Sequence, residues 1–466
     1  MGSQVERQFD VKTIAVIGAG PCGLSAAKYL LAQGSFESIV IYEQQSEVGG
    51  VWNYSAVASP TIHVPQVSAS CPPDPPILSG TTPPVFPTPM YNVLHTNIPS
   101  RLMAFSDLSF PETSLVFPSR EDVQDYLVKY SQEIRHLIRF STLVRDVQLR
   151  QENGKDQWDV TFASTMDDTV QTTTYDALVV ASGHYSTTFI PEVHNLAAFH
   201  KAHPSVVMHT KSYRTPDPFA DKKVIVVGNA ASGLDIASQI SRVCQQPLLL
   251  SVRTPSPPDN LAYVGAEEVP VIEEYLVNER GVRFEGGRVE RDVDAIVYAT
   301  GYLFTFPFLP FMVPPLVSNG RRVYGLYNDL FHIDHPTLVF PGLPIKVVPF
   351  PLGESQAALF SRVWANELPL PSAKKMKDWE DEEAQRRGTA FHVWPKGGDG
   401  DFINYTYDTI IQSRTPGKIP PRWDDELLWQ RKIYFEAKLR FDKGGHVAKT
   451  LEELGFLYQP EGGGDG

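Results

Sequence analysis

Three glycines near the start of the chain have the spacing that binds the pyrophosphate of a dinucleotide. Gly18, Gly20 and Gly23 follow one another as G-x-G-x-x-G. In this pattern the first glycine permits a sharp turn, the second lets backbone N–H groups approach the phosphates, and the third lets a helix lie close to a strand. The N-terminus of that helix favours the phosphate charge by about 0.3–1 kcal/mol. The spacing therefore predicts a dinucleotide site.

The elements that would position these glycines lie on either side of them. Residues 13–17 form a β-branched run typical of a buried strand, and residues 24–33 have apolar side chains at helical intervals. A second strand is predicted over 38–42 and ends at Glu43, twenty residues after Gly23. A carboxylate in that place accepts both hydroxyls of an adenosine ribose. Glu43 therefore favours a ribose without a 2′-phosphate, as in FAD or NAD.

The same arrangement recurs later in the chain with a different residue at its end. A predicted strand over 223–227 precedes a turn from Gly228 to Gly233, and a helix is expected from Leu234. The next strand, over 248–252, ends in Arg253 and Thr254. A guanidinium and a hydroxyl are the partners that a ribose 2′-phosphate needs. The second unit therefore fits NADP(H).

Ala230 stands where the second unit would have its middle glycine. Its methyl group would hold the pyrophosphate slightly further from the backbone, which suits a cofactor that moves during turnover. Small residues end one predicted strand on each side of this unit, at 181–183 and at 299–301. We interpret them as two crossings between domains. The expected fold class is α/β, with two dinucleotide-binding, Rossmann-like domains, the second inserted into a discontinuous first.

Bulk properties limit the class of protein. The chain has 466 residues, enough for two or three domains, and its net charge of −13 argues against a nucleic-acid partner. Its three cysteines form no C-x-x-C pair, which indicates a reducing compartment such as the cytoplasm and no structural zinc or other metal site. No stretch reads as a secretory signal or as a membrane span.

Other parts of the chain carry weaker signals. Ten prolines between Pro60 and Pro89 predict a long extended excursion over the surface, and the tail from Glu461 is expected to be disordered. Ser119 and Asp122 predict the start of a helix. Further strands are expected at 143–149, 158–162, 170–174, 177–181, 294–302 and 337–340, and further helices at 355–367, 373–387 and 426–440.

These motifs together resemble the flavin-containing monooxygenases, particularly their soluble microbial and yeast-type members. The resemblance runs from about residue 13 to residue 440, and it rests on segments 16–24, 43–45, 49–52, 96–99, 103–107, 117–118, 209–214, 253–254, 299–302 and 356–357. The family's identifying pattern, F-x-G-x-x-x-H-x-x-x-Y/F, is intact at its end, His209 and Tyr213. His203 and Ser205 stand at its Phe and Gly positions, which puts the local loop geometry in question.

The resemblance implies FAD in the larger domain, over 1–214 and 326–466, and NADPH in the inserted domain, over 215–325. Residues that correspond to FAD contacts of the family are Gly18, Gly20, Pro21, Gly23, Glu43, Gln45, Gly50, Val51, Trp52, Thr96, Asn97, Val144 and Gln356. Residues that correspond to NADP contacts are His209, Tyr213, Gly228, Ala231, Ser232, Gly233, Arg253 and Thr254.

The resemblance also implies a reaction of the N,N-dialkylaniline-type or S-oxygenating kind. NADPH would reduce FAD, O₂ would add at the flavin C4a to give a hydroperoxide, and the sulfur or nitrogen of a small substrate would take the distal oxygen. Asn97 is expected at the reaction centre because an amide both donates and accepts hydrogen bonds. Without the family match, an asparagine before Ile98 and Pro99 would be read as a turn residue. His209 is expected to be a hinge or a structural residue on the NADP side.

Three other readings stay open. A Baeyer–Villiger monooxygenase acting on ketones would share both nucleotide units, although Tyr213 stands where that family usually has Trp or Pro. A pyridine nucleotide–disulfide reductase is disfavoured by the missing C-x-x-C. A non-enzymatic FAD- and NADPH-binding redox-sensing module would consume negligible NADPH. The residues leave open whether two copies associate as a homodimer.

Overall fold

The chain folds into twenty strands and ten α-helices within the residues that the computed structural model describes, which are 9–58, 62–78 and 83–460. The strands are β1 Thr13–Ile17, β2 Ser38–Tyr42, β3 Ile138–Arg139, β4 Thr142–Glu152, β5 Lys155–Ser164, β6 Val170–Tyr175, β7 Ala177–Val180, β8 Thr187–Thr188, β9 Val207–His209, β10 Val224–Val227, β11 Leu248–Ser251, β12 Ala266–Val269, β13 Ile272–Leu276, β14 Gly281–Phe284, β15 Val289–Glu290, β16 Ala295–Tyr298, β17 Tyr302–Leu303, β18 Leu326–Tyr327, β19 Phe331–His332 and β20 Leu338–Val339. The helices are α1 Pro21–Gln33, α2 Ser100–Met103, α3 Arg120–Ser131, α4 Leu196–Ala202, α5 Ala231–Ile240, α6 Pro258–Val264, α7 Pro349–Trp364, α8 Ala373–Arg387, α9 Gly398–Ser413 and α10 Asp425–Lys443.

The larger sheet has the order β18-β19-β20-β7-β1-β2-β3. Strand β1 lies inside this sheet and pairs in parallel with β2 and β7, so the apolar side chains on both of its faces are buried. The register places Ile17 opposite Tyr42. Gly18 and Glu43, which follow these two residues, therefore lie at the same edge of the sheet. Ligands of open α/β sheets bind at this carboxyl edge.

The smaller sheet has the order β12-β11-β10-β16-β9, and all of its strands are parallel. A mainly parallel larger sheet, with antiparallel pairing only among β18, β19 and β20, and a fully parallel smaller sheet confirm the predicted fold class. Strand β9 belongs to the smaller sheet although it precedes residue 215, the expected start of the inserted domain. The expected domain ranges stay a prediction, and β9 has to be counted with the second unit.

The two crossings between the sheets lie side by side. Strands β8 and β17 form an antiparallel pair in which Tyr302 lies opposite Thr188. The N–H of Phe189 also donates to the carbonyl of Gly301, at 2.9 Å. The two crossings are therefore hydrogen-bonded to each other, and these bonds restrict the angle between the two sheets.

The Pro-rich segment is irregular where the structure describes it, with bends, a turn and a reversal between Ile77 and Val85. It has two isolated bridges, Gln66 with Ile190 and Ile77 with Val85. The first of these fastens it beside the crossing. The expectations for residues 1–8 and for the tail from Glu461, together with residues 59–61 and 79–82 of the excursion, lie outside the described residues.

Three helices begin earlier than predicted. Helix α1 begins at Pro21 rather than Leu24, α5 begins at Ala231 rather than Leu234, and α7 begins at Pro349 rather than Ser355. Proline is tolerated in the first turn of a helix, where the N–H that it lacks would have no intrahelical partner. Helix α3 begins as predicted, since the Ser119 and Asp122 side chains each bond the other residue's backbone N–H. None of the helices in the described residues is both long and apolar enough to cross a bilayer.

Candidate active site

The first glycine turn is packed so closely that two of its glycines admit no side chain. Gly18 has a φ of +101°, and a Cβ there would lie 2.6 Å from the carbonyl oxygen of Ala181. A Cβ on Gly23 would lie 1.9 Å from the carbonyl oxygen of Gly18. Both contacts are shorter than any real Cβ makes. These two glycines therefore hold α1 against the end of β1, as the spacing predicts.

Gly20 differs from them because its own backbone does not require glycine. It caps α1 with φ −76° and ψ −177°, and Ala230 caps α5 with φ −73° and ψ 178°. The same conformation is thus adopted by an alanine in the second unit. A Cβ on Gly20 would lie 3.5 Å from the Cα of Gly50, an ordinary contact. We infer that glycine at position 20 leaves room for a ligand.

Replacement of Gly20 by alanine should preserve the fold and weaken FAD binding. The methyl group meets no protein atom at short range, so the apoprotein should lose only about 1 kcal/mol of stability through its helix cap. The methyl group would push the FAD pyrophosphate away from the backbone N–H groups that bond it. Loss of these charge-assisted hydrogen bonds should raise the FAD dissociation constant roughly 10- to 100-fold. Flavin fluorescence titration of the apoprotein measures this change. Ala230→Gly is the control and should leave FAD affinity unchanged, whereas an unaltered affinity in Gly20→Ala would contradict the inference.

Glu43 lies beneath this turn with both carboxylate oxygens bonded. Oε2 accepts the N–H of Ala19 and Oε1 accepts the N–H of Gln45, each at 2.8 Å. The side chain is only 4% exposed. Burial raises the pKa of Glu43, and the backbone N–H bonds lower it by a smaller amount. The net result is a pKa of about 7. Each oxygen keeps a further lone pair, so the carboxylate can still accept the two ribose hydroxyls.

The affinity for FAD should therefore depend on pH. The pKa of Glu43 in the folded apoprotein lies above its usual value of 4.5, so the folded chain holds a proton there that the unfolded chain has lost. Ribose hydroxyls favour the ionised form, and FAD must displace this proton below pH 7. We expect affinity to rise up to about tenfold per pH unit as pH approaches 7, then to level off. Titrations of the apoprotein with FAD between pH 5.5 and 8 measure this dependence. If FAD affinity changes equally steeply with pH in Glu43→Gln, a group other than Glu43 causes it.

The remaining residues expected around FAD surround this turn. The N–H of Gly49 donates to the carbonyl of Ala19 at 3.0 Å, and the short helix Gly50–Trp52 follows at once. Val144 is buried in β4, whose first residue, Thr142, donates its N–H to the carbonyl of Glu43 at 2.8 Å. The Gln45 amide bonds the backbone of Phe86, so it fastens the Pro-rich segment here.

Gln356 has a buried donor without a partner. Its Oε1 accepts the N–H of Gly342 at 2.8 Å, and its Nε2 has no hydrogen-bond partner among the described residues. The side chain is 0% exposed. It lies near the first turn of α1, because a Cβ on Gly342 would be 2.6 Å from the Sγ of Cys22. A buried amide N–H₂ with no partner is costly unless a ligand accepts from it. The residues present therefore fit a bound FAD.

The second turn repeats the first in detail. A Cβ on Gly228 would lie 2.8 Å from the carbonyl oxygen of Ala299, and one on Gly233 would lie 2.1 Å from that of Gly228. Asn229 reaches across to the next strand end, where its Nδ2 donates to the carbonyl of Thr254 at 2.8 Å. Ala231 and Ser232 are exposed in the first turn of α5, and Arg253 and Thr254 are exposed beside them. The structure thus brings together the residues expected around NADP.

The sequence pattern called flavin-binding monooxygenase-like matches residues 87–257 and 266–415, which is more than half of the chain. The chain belongs to this family. An NAD(P)-binding Rossmann-like domain also matches residues 16–73, which contain the first glycine turn. These matches confirm the predicted family and its cofactors, FAD and NADPH, and they make this flavin-binding monooxygenase an oxidoreductase.

Two similar proteins support the assignment, and one solved structure shares the fold. The flavin-containing monooxygenase FMO GS-OX-like 4 of Arabidopsis thaliana is 34% identical over 378 residues, which cover 78% of each chain. The thiol-specific monooxygenase of Saccharomyces cerevisiae is 30% identical over 448 residues, covering 92% of this chain and 93% of the yeast protein. The solved structure of S-allyl-L-cysteine S-oxygenase from Allium sativum has a TM-score of 0.79 at 24% identity and covers 96% of this chain and 98% of that one. It shares the fold.

In this monooxygenase the turn before Pro99 is stabilised by Thr96 rather than by Asn97. The Thr96 hydroxyl donates to the carbonyl of Ile98 at 2.8 Å, and its N–H donates to the carbonyl of Pro118 at 2.9 Å. Asn97 is exposed, and its side chain has no hydrogen bond to another described residue. The usual structural role of a turn asparagine is thus taken by its neighbour, which leaves the Asn97 amide available to a ligand.

His209 of the monooxygenase is a buried, neutral side chain. Its Nδ1 accepts the N–H of Lys211 at 3.1 Å, so its Nε2 carries the proton and donates to the carbonyl of Gly301 at 3.1 Å. Burial lowers the pKa of His209 to about 3. These bonds tie β9 to the second crossing, and they support the structural role expected for His209. Tyr213 is also buried and donates from its hydroxyl to Oε1 of Gln239, at 2.9 Å.

The altered start of the identifying motif is accommodated locally. His203 follows α4, its ring contacts Phe199, and its Nε2 lies 2.9 Å from the carbonyl oxygen of Val277. A phenylalanine could not make this last hydrogen bond. Ser205 is exposed. The motif therefore departs from the family pattern where its side chains face the turn after β13 and solvent rather than the expected cofactor contacts.

Two arginines near the site have partners that no sequence motif specifies. Arg214 donates to the carbonyls of Ser55 at 2.6 Å and Thr88 at 3.2 Å, and thereby joins two segments of the first domain to the crossing. Arg321 stacks on the ring of Phe189 at 3.6 Å, and the charge of Arg253 contributes with burial to lowering its pKa. Arg214 ends a segment that carries the family resemblance, but its partners and the position of Arg321 depend on how distant loops meet.

Proposed function

We propose that this monooxygenase uses NADPH and O₂ to oxygenate the sulfur or nitrogen of a small nucleophile. One oxygen atom of O₂ goes to the substrate and the other leaves as water, while NADPH becomes NADP⁺ and a proton is taken up. Bound FAD supplies the oxygen activation, which amino-acid side chains cannot provide. The chain's own residues bind both nucleotides, orient them and exclude water.

The observation that carries the proposal is the pair of matching glycine turns with opposite charges at their second strands. Glu43 follows β2 and Arg253 lies after β11, so one turn suits an unphosphorylated ribose and the other a ribose 2′-phosphate. The adjacent crossings keep the two sheets beside each other. A protein that brings a flavin and NADPH together in one cleft can pass a hydride between them.

Sulfur is the acceptor that we favour. Two of the similar proteins bear names that specify a thiol or an S-oxygenase. The unbonded amide of Asn97 would orient the bound cofactors by donating and accepting hydrogen bonds. A substrate sulfur brings its own electron pair to the oxygen, so it needs no side chain to act as a base. Under this proposal His209 acts structurally, because its two ring nitrogens are already bonded.

The test is an assay of the purified, FAD-loaded protein with NADPH and O₂ against four acceptors. A thioether, a thiol, a tertiary amine and a cyclic ketone are compared under identical conditions, with NADPH consumption, oxygenated product and H₂O₂ measured together. Product from the thioether or thiol is expected. Product from the ketone alone would favour the Baeyer–Villiger alternative, and negligible NADPH consumption with every acceptor would favour the redox-sensing module.

The compartment belongs to the proposal as well. Cys22, Cys71 and Cys244 are all free thiols in the structure. A reducing compartment such as the cytoplasm suits a chain of this kind, and it would also contain NADPH.

A further inference from the structure

One stretch of the first domain, residues 88–97, lies between the two nucleotide units and ends at Asn97. Its beginning is fastened to the second unit, since the carbonyl of Thr88 accepts from Arg214 at 3.2 Å and the N–H of Asn92 donates to the carbonyl of Arg214 at 2.9 Å. Its end is fastened to the first domain, where Thr96 bonds the carbonyl of Pro118. This stretch, which we call the bridging segment, therefore connects both halves of the site.

A polar cluster around two buried tyrosines joins the bridging segment to the nucleotide helix α5. The hydroxyl of Tyr91 donates to Oδ2 of Asp235, which also accepts from Nε2 of Gln239 at 3.3 Å. The hydroxyl of Tyr213 donates to Oε1 of the same Gln239 at 2.9 Å. The two tyrosine rings pack edge to face, with their centroids 5.4 Å apart. We call these four residues, Tyr91, Tyr213, Asp235 and Gln239, the tyrosine junction.

Three members of the tyrosine junction, Tyr91, Tyr213 and Gln239, are buried, and Asp235 is half-buried. Tyr91 is 5% and Tyr213 is 1% exposed. Burial raises the pKa of Tyr91 well above its usual value, so its hydroxyl stays protonated and remains a donor to Asp235. A buried network in which each group has its partner adopts one arrangement, and a shift of one member displaces the others.

The position of Asp235 on α5 gives the tyrosine junction a direct link to the second glycine turn. Asp235 is four residues beyond Ala231, the first residue of α5, so it lies one turn from the helix end on the same face. At the other end of the link, Tyr91 is six residues from Asn97 along the bridging segment. A nucleotide that orders the first turn of α5 thus acts on a helix whose next turn holds the segment that carries Asn97.

We propose that the tyrosine junction transmits the occupancy of the NADP(H) site to the loop that carries Asn97. Tyr91 and Asp235 are in this view positioning residues, which act through Asn97 and touch neither nucleotide. The proposal rests on the proposed function for the roles of α5 and Asn97. It predicts that bound NADP⁺ orders residues 91–99, and that the Tyr91 hydroxyl is needed for this effect.

The experiment is hydrogen exchange of the FAD-loaded protein with and without saturating NADP⁺. In the wild-type protein, NADP⁺ should slow exchange in residues 91–99 about fivefold or more. Tyr91→Phe keeps the ring and removes only the hydroxyl, and the slowing there should fall below about twofold. The control is Tyr275→Phe, which deletes an equally buried hydroxyl, bonded to Tyr298 inside the second unit. It should retain the wild-type response.

Two further measurements separate this inference from simple damage and from failure of the proposed function. NADP⁺ affinity by calorimetry should change less than about threefold in Tyr91→Phe, since the hydroxyl does not contact the nucleotide. Where Tyr91→Phe is poorly folded, Asp235→Ala, which removes the acceptor of the Tyr91 hydroxyl, takes its place. Wild-type protein in which NADP⁺ leaves residues 91–99 unaffected, or a full response in the variants, would overturn the inference. Absence of oxygenated product with a normal exchange response would overturn the proposed function alone.

Discussion

Replacement of Asn97 by alanine should leave FAD bound and NADPH oxidised while most of the reducing equivalents leave as H₂O₂. The side chain is exposed and its turn is held by Thr96, so its loss should change stability by no more than about 0.5 kcal/mol. Under the proposed function, the amide holds the reacting groups during oxygen transfer. Removal of one such hydrogen-bonding group lowers the rate of a chemical step on the order of 10²-fold. Product per NADPH consumed is the quantity to measure.

The control for this variant lies on the same bridging segment. Asn92 is also exposed, and only its backbone groups bond to Arg214 and Arg120. Asn92→Ala should therefore keep the wild-type ratio of product to H₂O₂. Asn97→Asp adds a further comparison, since it preserves the size of the side chain and removes its N–H₂ donor. Wild-type coupling of NADPH to product in Asn97→Ala would exclude Asn97 from the reaction centre.

Replacement of Arg253 by alanine should raise the KM for NADPH and leave that for NADH nearly unchanged. Arg253 is exposed beside the second glycine turn and has no ion pair among the described residues, so its guanidinium is available to a 2′-phosphate. Charge-assisted hydrogen bonds to this group contribute about 1.5–3 kcal/mol, which corresponds to roughly a 10- to 150-fold change in KM. NADH lacks the phosphate and should not respond.

Arg242→Ala is the matched control, because Arg242 is another exposed arginine of the second unit and contacts Tyr263 instead. It tests whether loss of any positive charge near the site weakens binding of an anionic nucleotide. Steady-state kinetics with both nucleotides give the ratio directly. Equal effects of Arg253→Ala on NADPH and NADH would refute the assignment of this residue to the 2′-phosphate.

The two glycine turns could be predicted from sequence because their determinants are local. Gly18 and Gly23 are required by contacts within about ten residues or with the adjacent strand, and Glu43 follows a strand whose pattern is plain. The helix start at Ser119 is equally local, because Ser119 and Asp122 satisfy one another. In these places the short-range sequence pattern and the final packing agree.

The parts that were missed depend on residues far apart in the chain. Helix α7 begins at Pro349, six residues before the predicted Ser355, because prolines in a first turn are compatible with a helix. Helix α9 begins with Gly398, Asp399 and Gly400, which read as a turn, and it is stabilised by contacts such as that of Asp399 with Arg431. The tyrosine junction likewise joins residues more than a hundred positions apart.

Arg214 has a consequence for how the molecule meets its cofactors. FAD and NADPH are both polyanions, and a chain with a net charge of −13 repels them at a distance. Solvent ions screen that repulsion beyond about 8 Å. At the crossing, Arg214 donates only to carbonyl groups and has no carboxylate partner among the described residues, so its charge is not neutralised there. The local potential at the crossing is thereby shifted toward positive, although the chain as a whole is negatively charged.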